Sequence, residues 1–250
     1  MLNVTNVHKA FGDNEVLRGV SFDIKKGDVI AILGASGSGK TTLLRCLEFF
    51  EKADKGHISI GDIETDLHTA SRQKIHEIRQ HTSFVFQNYN LFNNKNALDN
   101  VALGLIKGHG VKKDRAKEIA KKALEEVGLG DRLDYYPSEL SGGQQQRVGI
   151  ARALAVEPDV IFFDEPTSAL DPELVGEVLE TIRNLAKSGS TMVIVTHEMA
   201  FARDVATKAI YMDKGVIVEQ GDAKEFFMHP REERTRQFLS RFLEGYDYVI

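Results

Sequence analysis

The sequence predicts an α/β chain: a lobe built on a mostly parallel sheet, an N-terminal antiparallel β region and an inserted helical lobe. Three runs carry that expectation. Val29-Ile-Ala-Ile-Leu33, Val160-Ile-Phe-Phe163 and Met192-Val-Ile-Val195 are continuously apolar. Strands buried on both faces need such runs, because helices cover both sides of a parallel sheet. Each run also ends on residues able to do chemistry: Gly34 and the turn up to Lys40, then Asp164 with Glu165, then Thr196 with His197. Ligands of open parallel sheets bind beyond the carboxyl ends of the strands, so these three ends predict one shared site.

The remaining elements follow from spacing. Residues 2 to 24 alternate apolar and polar and read as paired strands, with turns at Gly12-Asp13 and Gly27-Asp28. A helix is expected over 41 to 47, with Leu43, Leu44 and Leu47 on one face. From about 88 to about 155 the chain lacks buried-strand runs and reads as mostly helical. That stretch is the expected helical lobe of a single domain 1–250, and about 1–87 with 156–250 is the sheet-bearing lobe. Within it, Ala116, Ile119, Ala120, Ala123, Leu124 and Val127 keep helical spacing, and Gly128 is a natural stop. Asp171-Pro172 reads as an N-cap with proline at the first helical position, and Leu174, Val178, Ile182 and Leu185 follow at helical spacing.

Composition narrows the class. A chain of 250 residues can bury a sizeable core as one large domain or two small lobes. With 42% hydrophobic and 28% charged residues it has the balance of a globular domain. No stretch approaches the roughly 18 apolar residues of a membrane span. Met1-Leu2-Asn3-Val4 does not begin a basic segment followed by an apolar run, so no signal peptide is expected. Cys46 is the single cysteine, which excludes an internal disulfide framework and fits a reducing compartment. It falls within the helix 41 to 47 and is read as a packing residue rather than a nucleophile. None of the eight histidines clusters with it, so no zinc site is expected. The net charge of -5 argues against a nucleic-acid partner, since phosphate backbones need a positive face.

The first chemical motif is Gly34-Ala35-Ser36-Gly37-Ser38-Gly39-Lys40-Thr41, followed by Thr42. This Gly-x-x-x-x-Gly-Lys-Thr pattern is a phosphate cradle. Glycines let backbone N–H groups approach the anion, and the helix start adds a favourable dipole. Lys40 supplies a point charge at the β- and γ-phosphates, and Thr41 a hydroxyl for Mg²⁺. The match follows a buried strand and opens a helix, the context that separates it from chance. Asp164, behind four apolar residues, stands where a carboxylate would hold Mg²⁺, directly or through water. Glu165 is its neighbour. Adjacent side chains on a strand diverge, so Glu165 can serve a different task, orienting and deprotonating an attacking water. His197, at its own strand end, is placed to meet a γ-phosphate.

A second motif, Leu140-Ser141-Gly142-Gly143-Gln144, precedes a helical run. Bare backbone N–H groups, a hydroxyl and a helix start form another anion site, or simply a capped helix. Together the motifs resemble those of the ATP-binding subunits of ABC transporters, over essentially the whole chain and in the family's order. The resemblance implies a P-loop ABC ATPase with ATP and Mg²⁺ as cofactors. It implies that Phe11 stacks on adenine and that Gln87 reaches Mg²⁺ and the water beside the membrane-subunit contact. It implies that residues 140–144 are the family signature, that Ser168-Ala169-Leu170-Asp171 are the D-loop and that His197 is the switch histidine. In that family the signature of one subunit faces the cradle of another, so a head-to-tail homodimer, or a dimer with a similar subunit, is implied. Permease subunits would dock near Gln87, with 88 to 100, including Tyr89, Leu91 and Phe92, serving either as the docking surface or simply as packing of the helical lobe. The expected location is the cytoplasmic face of the cell membrane, as a peripheral subunit supplied indirectly by an extracellular solute-binding protein.

Val195-Thr-His-Glu-Met-Ala-Phe-Ala-Arg203, Val218-Glu-Gln-Gly221, Phe226-Phe227, Pro230, Arg234 and Phe238-Leu239 look like segments of polar amino acid importers. The extra C-terminal regulatory domain of many sugar or methionine importers is not expected. Two departures stand out: Phe11 replaces the commoner tyrosine, and Asn93-Asn94 stands where a proline usually follows Leu-Phe. The competing classes are an exporter or lipoprotein-release ATPase, and a non-transport ABC ATPase acting on DNA or ribosomes. The latter usually needs a coiled-coil insertion or two ATPase domains.

Overall fold

Strand β1 (Leu2–Phe11) and strand β2 (Asn14–Ile24) form the expected N-terminal hairpin, with Leu2 opposite Ile24 and Phe11 opposite Asn14. In a computed structural model residues 1–243 are described, so residues 244–250, assigned above to the sheet-bearing lobe, lie outside the described residues. Alternation drives the pairing. Leu2, Val4, Val7, Leu17, Val20 and Ile24 are buried while their polar neighbours face out. Strand β3 (Val29–Leu33) is buried at every position, as its continuous apolar run requires. Helix α1 (Lys40–Leu47) follows, and Leu43, Leu44 and Leu47 are fully buried. Each contributes about 1.5–3 kcal/mol by leaving water.

Strands β4 (Lys55–Ile60) and β5 (Ile63–Asp66) extend the antiparallel sheet to the order β2-β1-β4-β5. Helix α2 (Arg72–His81) leads into strand β6 (Thr82–Val85). Between Val85 and Val160 the chain holds helices and no strand: α3 (Ala97–Gly108), α4 (Lys113–Glu126), a short 3-10 turn at Pro137–Glu139, and α5 (Gly142–Leu154). The left-handed Gly128, φ 73°, ends the stretch after α4. Strand β7 (Val160–Asp164) pairs in parallel with β6, from Thr82 opposite Val160 to Val85 opposite Phe163. Helix α6 (Pro172–Lys187) begins after Asp171, and strand β8 (Met192–Val195) is buried throughout.

Helix α7 (Met199–Val205), strands β9 (Lys208–Asp213) and β10 (Val216–Asp222), and helices α8 (Ala223–Met228) and α9 (Glu233–Leu243) complete the described chain. Strand β9 pairs in parallel with β3 and antiparallel with β10, so the second sheet is mixed.

The chain divides into two compact units, Met1–Ile75 with the segment from Val193 onward, and His76–Met192. The first carries the antiparallel sheet and the strand order β10-β9-β3-β8, the second carries the β6–β7 pair and α3 to α6, and α2 spans the boundary at Ile75 and His76. The first unit's core joins Ala31 and Leu33 of β3 to Tyr211, Phe226, Phe227 and Phe238. Tyr211 and Phe238 stack with ring centroids 4.8 Å apart, which seats α9 on β9. The second unit's core includes Ala116, Ala120, Leu124, Val148, Ile150 and Phe162, all fully buried. No described helix is long and apolar enough to cross a membrane.

Candidate functional site

β3 delivers the chain to Gly34 at a φ of 152°. A Cβ there would lie 2.2 Å from the Met212 carbonyl and 2.8 Å from Ser38 Oγ, so only glycine fits. Gly39, the N-cap of α1, stands at φ 101°. Its Cβ would lie 2.8 Å from the Val16 carbonyl. The cradle is thereby seated directly against β2 and the end of β9. Gly215 reinforces this by donating its N–H to Ser38 O (3.2 Å), while Arg18 N donates to Gly215 O (2.9 Å).

Ala35, Ser36 and Gly37 form the exposed rim of the loop, while Ser38, Gly39 and Lys40 are buried beneath it. Lys40 is 4% exposed, and its Nζ donates to Gly34 O (2.8 Å) and Ala35 O (3.0 Å). The ammonium is therefore curled inside the loop, where an anion held by the rim would meet it. Ser38 Oγ is buried with no hydrogen-bond partner. A buried hydroxyl in that condition is costly unless something else satisfies it, and a phosphate oxygen would. Thr41 and Thr42 are half-buried in the first turn of α1, which has no acidic residue to neutralise its N-terminal dipole. Phe11, at the end of β1, is 48% exposed. His197 is exposed just beyond β8, after the buried Thr196, whose Oγ1 accepts from Glu198 N (3.0 Å).

The second unit carries the carboxylates. Asp164 is the last residue of β7 and only 2% exposed. Glu165 adopts φ 46°, left-handed and directly before Pro166. That conformation costs on the order of 1–3 kcal/mol and is held by its surroundings. Ser168 supplies part of the restraint, donating its N–H (3.2 Å) and Oγ (3.0 Å) to Glu165 O. Gln87 is half-buried in the turn after β6. That turn is latched to α5: Gln146 Nε2 donates to Phe86 O (3.1 Å), and Arg152 donates to Asn90 O (2.7 Å) and Tyr89 O (3.1 Å). Tyr89 and Asn90 sit at φ 48° and 50°, so the latch holds two consecutive strained residues.

Ser141 caps α5. Its Oγ accepts from Gln144 N (3.2 Å), and Gln144 Oε1 accepts from Ser141 N (2.9 Å). Ser141 and Gln144, two of the five residues 140–144, are thus engaged in a capping box. Gly143 is buried against Leu174, and Gly142 faces the Tyr89 hydroxyl. Asp171 holds the N-cap position of α6 with Pro172 after it, yet its side chain makes no cap hydrogen bond and is exposed. The expected N-cap is right in place, and Asp171's carboxylate is left for other partners.

The cradle, Phe11 and His197 belong to the first unit, while Gln87, residues 141–144, Asp164, Glu165 and Asp171 belong to the second. Asn100, Arg152 and the Tyr89 hydroxyl escape sequence reading. Asn100 is fully buried and pins the loop after Gln87, accepting from Phe92 N (2.7 Å) and donating to Phe92, Lys95 and Asn96 carbonyls. Nothing in its local pattern marks it.

These residues fit a nucleoside triphosphate. A buried lysine, an unsatisfied hydroxyl and an uncapped helix start surround one glycine-rich turn. The donor set also suits Mg²⁺. Among the described residues no three or more His, Cys, Asp or Glu side chains gather as a cage. Mg²⁺ keeps several waters and uses one or two carboxylates with substrate phosphates, so the Thr41 hydroxyl of the first unit and the buried Asp164 of the second are each groups of the kind it takes.

Comparison with known proteins agrees. The family model for ABC transporters matches residues 17–168. The chain is 55% identical to the L-cystine transport system ATP-binding protein TcyN of Escherichia coli (strain K12), over 97% of this chain and 98% of that one. It is 52% identical to the L-cystine import ATP-binding protein TcyN of Bacillus subtilis (strain 168), over 98% and 95% of the two chains. A solved dimeric post-hydrolysis state of the ATP-binding cassette MJ0796, bound to ADP and Pi, superposes with a TM-score of 0.77. It is 33% identical and covers 90% of this chain and 99% of that one. The buried lysine in its glycine cradle, the capped signature helix and the full-length likeness to these subunits thus converge: this chain belongs to the ABC transporter family.

Proposed function

We propose that this chain is the ATP-hydrolysing subunit of a membrane importer for a polar amino acid or derivative. The observation that carries the reading is the Lys40 cradle in a chain matching amino-acid importer subunits from end to end. The subunit works as a head-to-tail dimer bound to permease subunits at the cytoplasmic face of the membrane. An external solute-binding protein delivers the cargo. The helical stretch of about 88–155 serves as the lobe that faces the permease.

Backbone N–H groups of residues 35–41 and the Lys40 ammonium hold the phosphates, while Phe11 stacks on the base. Thr41, Asp164 and Gln87 hold Mg²⁺, which when bound neutralises charge on the phosphate oxygens. Glu165 accepts a proton from water as the water oxygen attacks the γ-phosphorus in line. The bond to the β-phosphate oxygen breaks, leaving ADP and phosphate. His197 orients the γ-phosphate. Ser141, Gly142, Gly143, Gln144 and Asp171 of one protomer close over the ATP held by its partner. Because two chains bind each ATP, ATP favours the closed dimer and hydrolysis releases it, which moves the permease.

The test is Glu165→Gln. ATP binding persists, turnover falls by about 10²–10⁴-fold, and an ATP-bound dimer accumulates on size-exclusion chromatography. A monomer at saturating ATP and Mg²⁺ would contradict the shared site.

A further inference from the structure

One charged group beside Phe11 has no part in the chemistry above. Lys9 and Phe11 are two residues apart on β1, and the Lys9 ammonium lies over the Phe11 ring. Lys9 is only 9% exposed. Its Nζ donates to Lys52 O (2.8 Å), pairs with Glu51 Oε1 (2.8 Å) and lies 4.7 Å from the centroid of the Phe11 ring. An ammonium has three protons. Lys52 O and Glu51 Oε1 engage the ammonium, and the Phe11 ring is its third contact. The hydrogen bond to Glu51 holds the Lys9 pKa above its usual value against the opposing effect of burial, so the charge is permanent near neutral pH.

The strand around the pair is fixed as well. Ala10 N donates to Asp54 Oδ2 (2.6 Å), and Asp54 N donates to His8 O (2.8 Å). The hairpin turns at Gly12 and Asp13, and Val16 on its return strand touches the cradle at Gly39. The ring is therefore carried on a hairpin bolted to the phosphate loop.

We propose that Lys9 is a positioning residue of the nucleotide site: its ammonium, pinned against one face of Phe11, fixes the ring with its other face open to a purine. A cation on one face also draws electron density from the ring, which favours stacking of an electron-rich base on the other. Phe11 lacks the hydroxyl of a tyrosine that would hydrogen-bond and anchor it. Lys9 supplies that anchoring from behind. The inference rests on the reading that this chain binds ATP with Phe11 under the base.

The experiment is calorimetric titration of the full chain with ATP and, separately, with inorganic triphosphate, which has the anionic part and no base. For Lys9→Met the ATP Kd is expected to rise ~3–30-fold, as one lost cation–π anchor implies. The triphosphate Kd stays within about twofold, because the cradle is untouched. Lys9→Arg retains ATP affinity, and Lys9→Met adds nothing in a Phe11→Leu background. Equal weakening of ATP and triphosphate would overturn the proposal, since that is what distortion of the hairpin alone would do. An unchanged ATP Kd would overturn it too. If Lys9→Met does not fold, Glu51→Gln loosens the ammonium without removing it. A smaller loss confined to ATP is then expected, and an equal or absent loss overturns the proposal. Wild type that binds triphosphate but not ATP would defeat the ATP reading itself.

Discussion

The Tyr89 hydroxyl donates to the Ala169 carbonyl across 3.0 Å, and the same oxygen lies 2.8 Å from where a Cβ on Gly142 would stand. One phenol therefore touches the loop after Gln87, the loop before Asp171 and the first residue of α5. Burial, with a smaller effect from the Asp171 carboxylate, raises the Tyr89 pKa, so the hydroxyl remains a donor across the physiological range.

Tyr89→Phe keeps the ring and removes that bond. A neutral hydrogen bond contributes about 0.5–1.5 kcal/mol net, which in a chain of this size lowers Tm by roughly 1–6 °C. The rise in Tm that ATP brings should be unchanged, because the lost bond joins Tyr89 to Ala169, neither of which belongs to the proposed nucleotide site. Thermal scans with and without ATP measure both. An unchanged Tm would show that the hydroxyl bond contributes nothing.

Gly34→Ala should be far more damaging than its size suggests. The added Cβ would overlap the Met212 carbonyl at 2.2 Å, and that carbonyl is backbone and cannot swing aside, so the loop must move. Loss of ATP binding is expected, with a stability loss of about 2 kcal/mol or more from strain and displaced packing. Gly221→Ala, which meets no atom within 4 Å, is the control and should behave as wild type. Denaturant unfolding and ATP titration of both variants check the contrast.

Strands β1, β2, β3, β7 and β8 and the phosphate turn were legible because their signals are local. β3 and β8 begin and end where their apolar runs do, and the hairpin turn falls at Gly12-Asp13. Strands β4, β5 and β6 were not. β5 and β6 have four residues each, too short for periodicity to speak, and they owe their state to neighbouring strands. The candidate residues themselves could be named from motifs. Their restraints could not, since Asn100, Arg152 and Ser168 act through contacts that no local spacing reveals. The loop with Asn93-Asn94 illustrates this. Its missing proline suggests slackness, yet Asn100 fastens it from inside with four hydrogen bonds. The left-handed Glu165 is likewise invisible in sequence, because residues before proline normally avoid that region.

Cys46 should be inert in the folded protein. Burial pushes its thiol up to about 12, against a smaller opposing effect of the Lys9 charge. The thiol is protonated well below that value, so at pH 8 almost no thiolate is present to react. A chromogenic disulfide reagent is expected to label no cysteine in the native chain at pH 8 and one per chain in denaturant. Rapid labelling of folded protein would contradict the packing role.

Import itself is tested most directly in cells lacking this chain, by uptake of a panel of labelled polar amino acids that includes cystine. Uptake of one or a few related substrates should fail. Wild type should restore it and Glu165→Gln should not, although both are made at equal levels. Uptake that is unchanged without the chain, or restored equally well by Glu165→Gln, would contradict the claim that ATP hydrolysis by this subunit drives amino acid import.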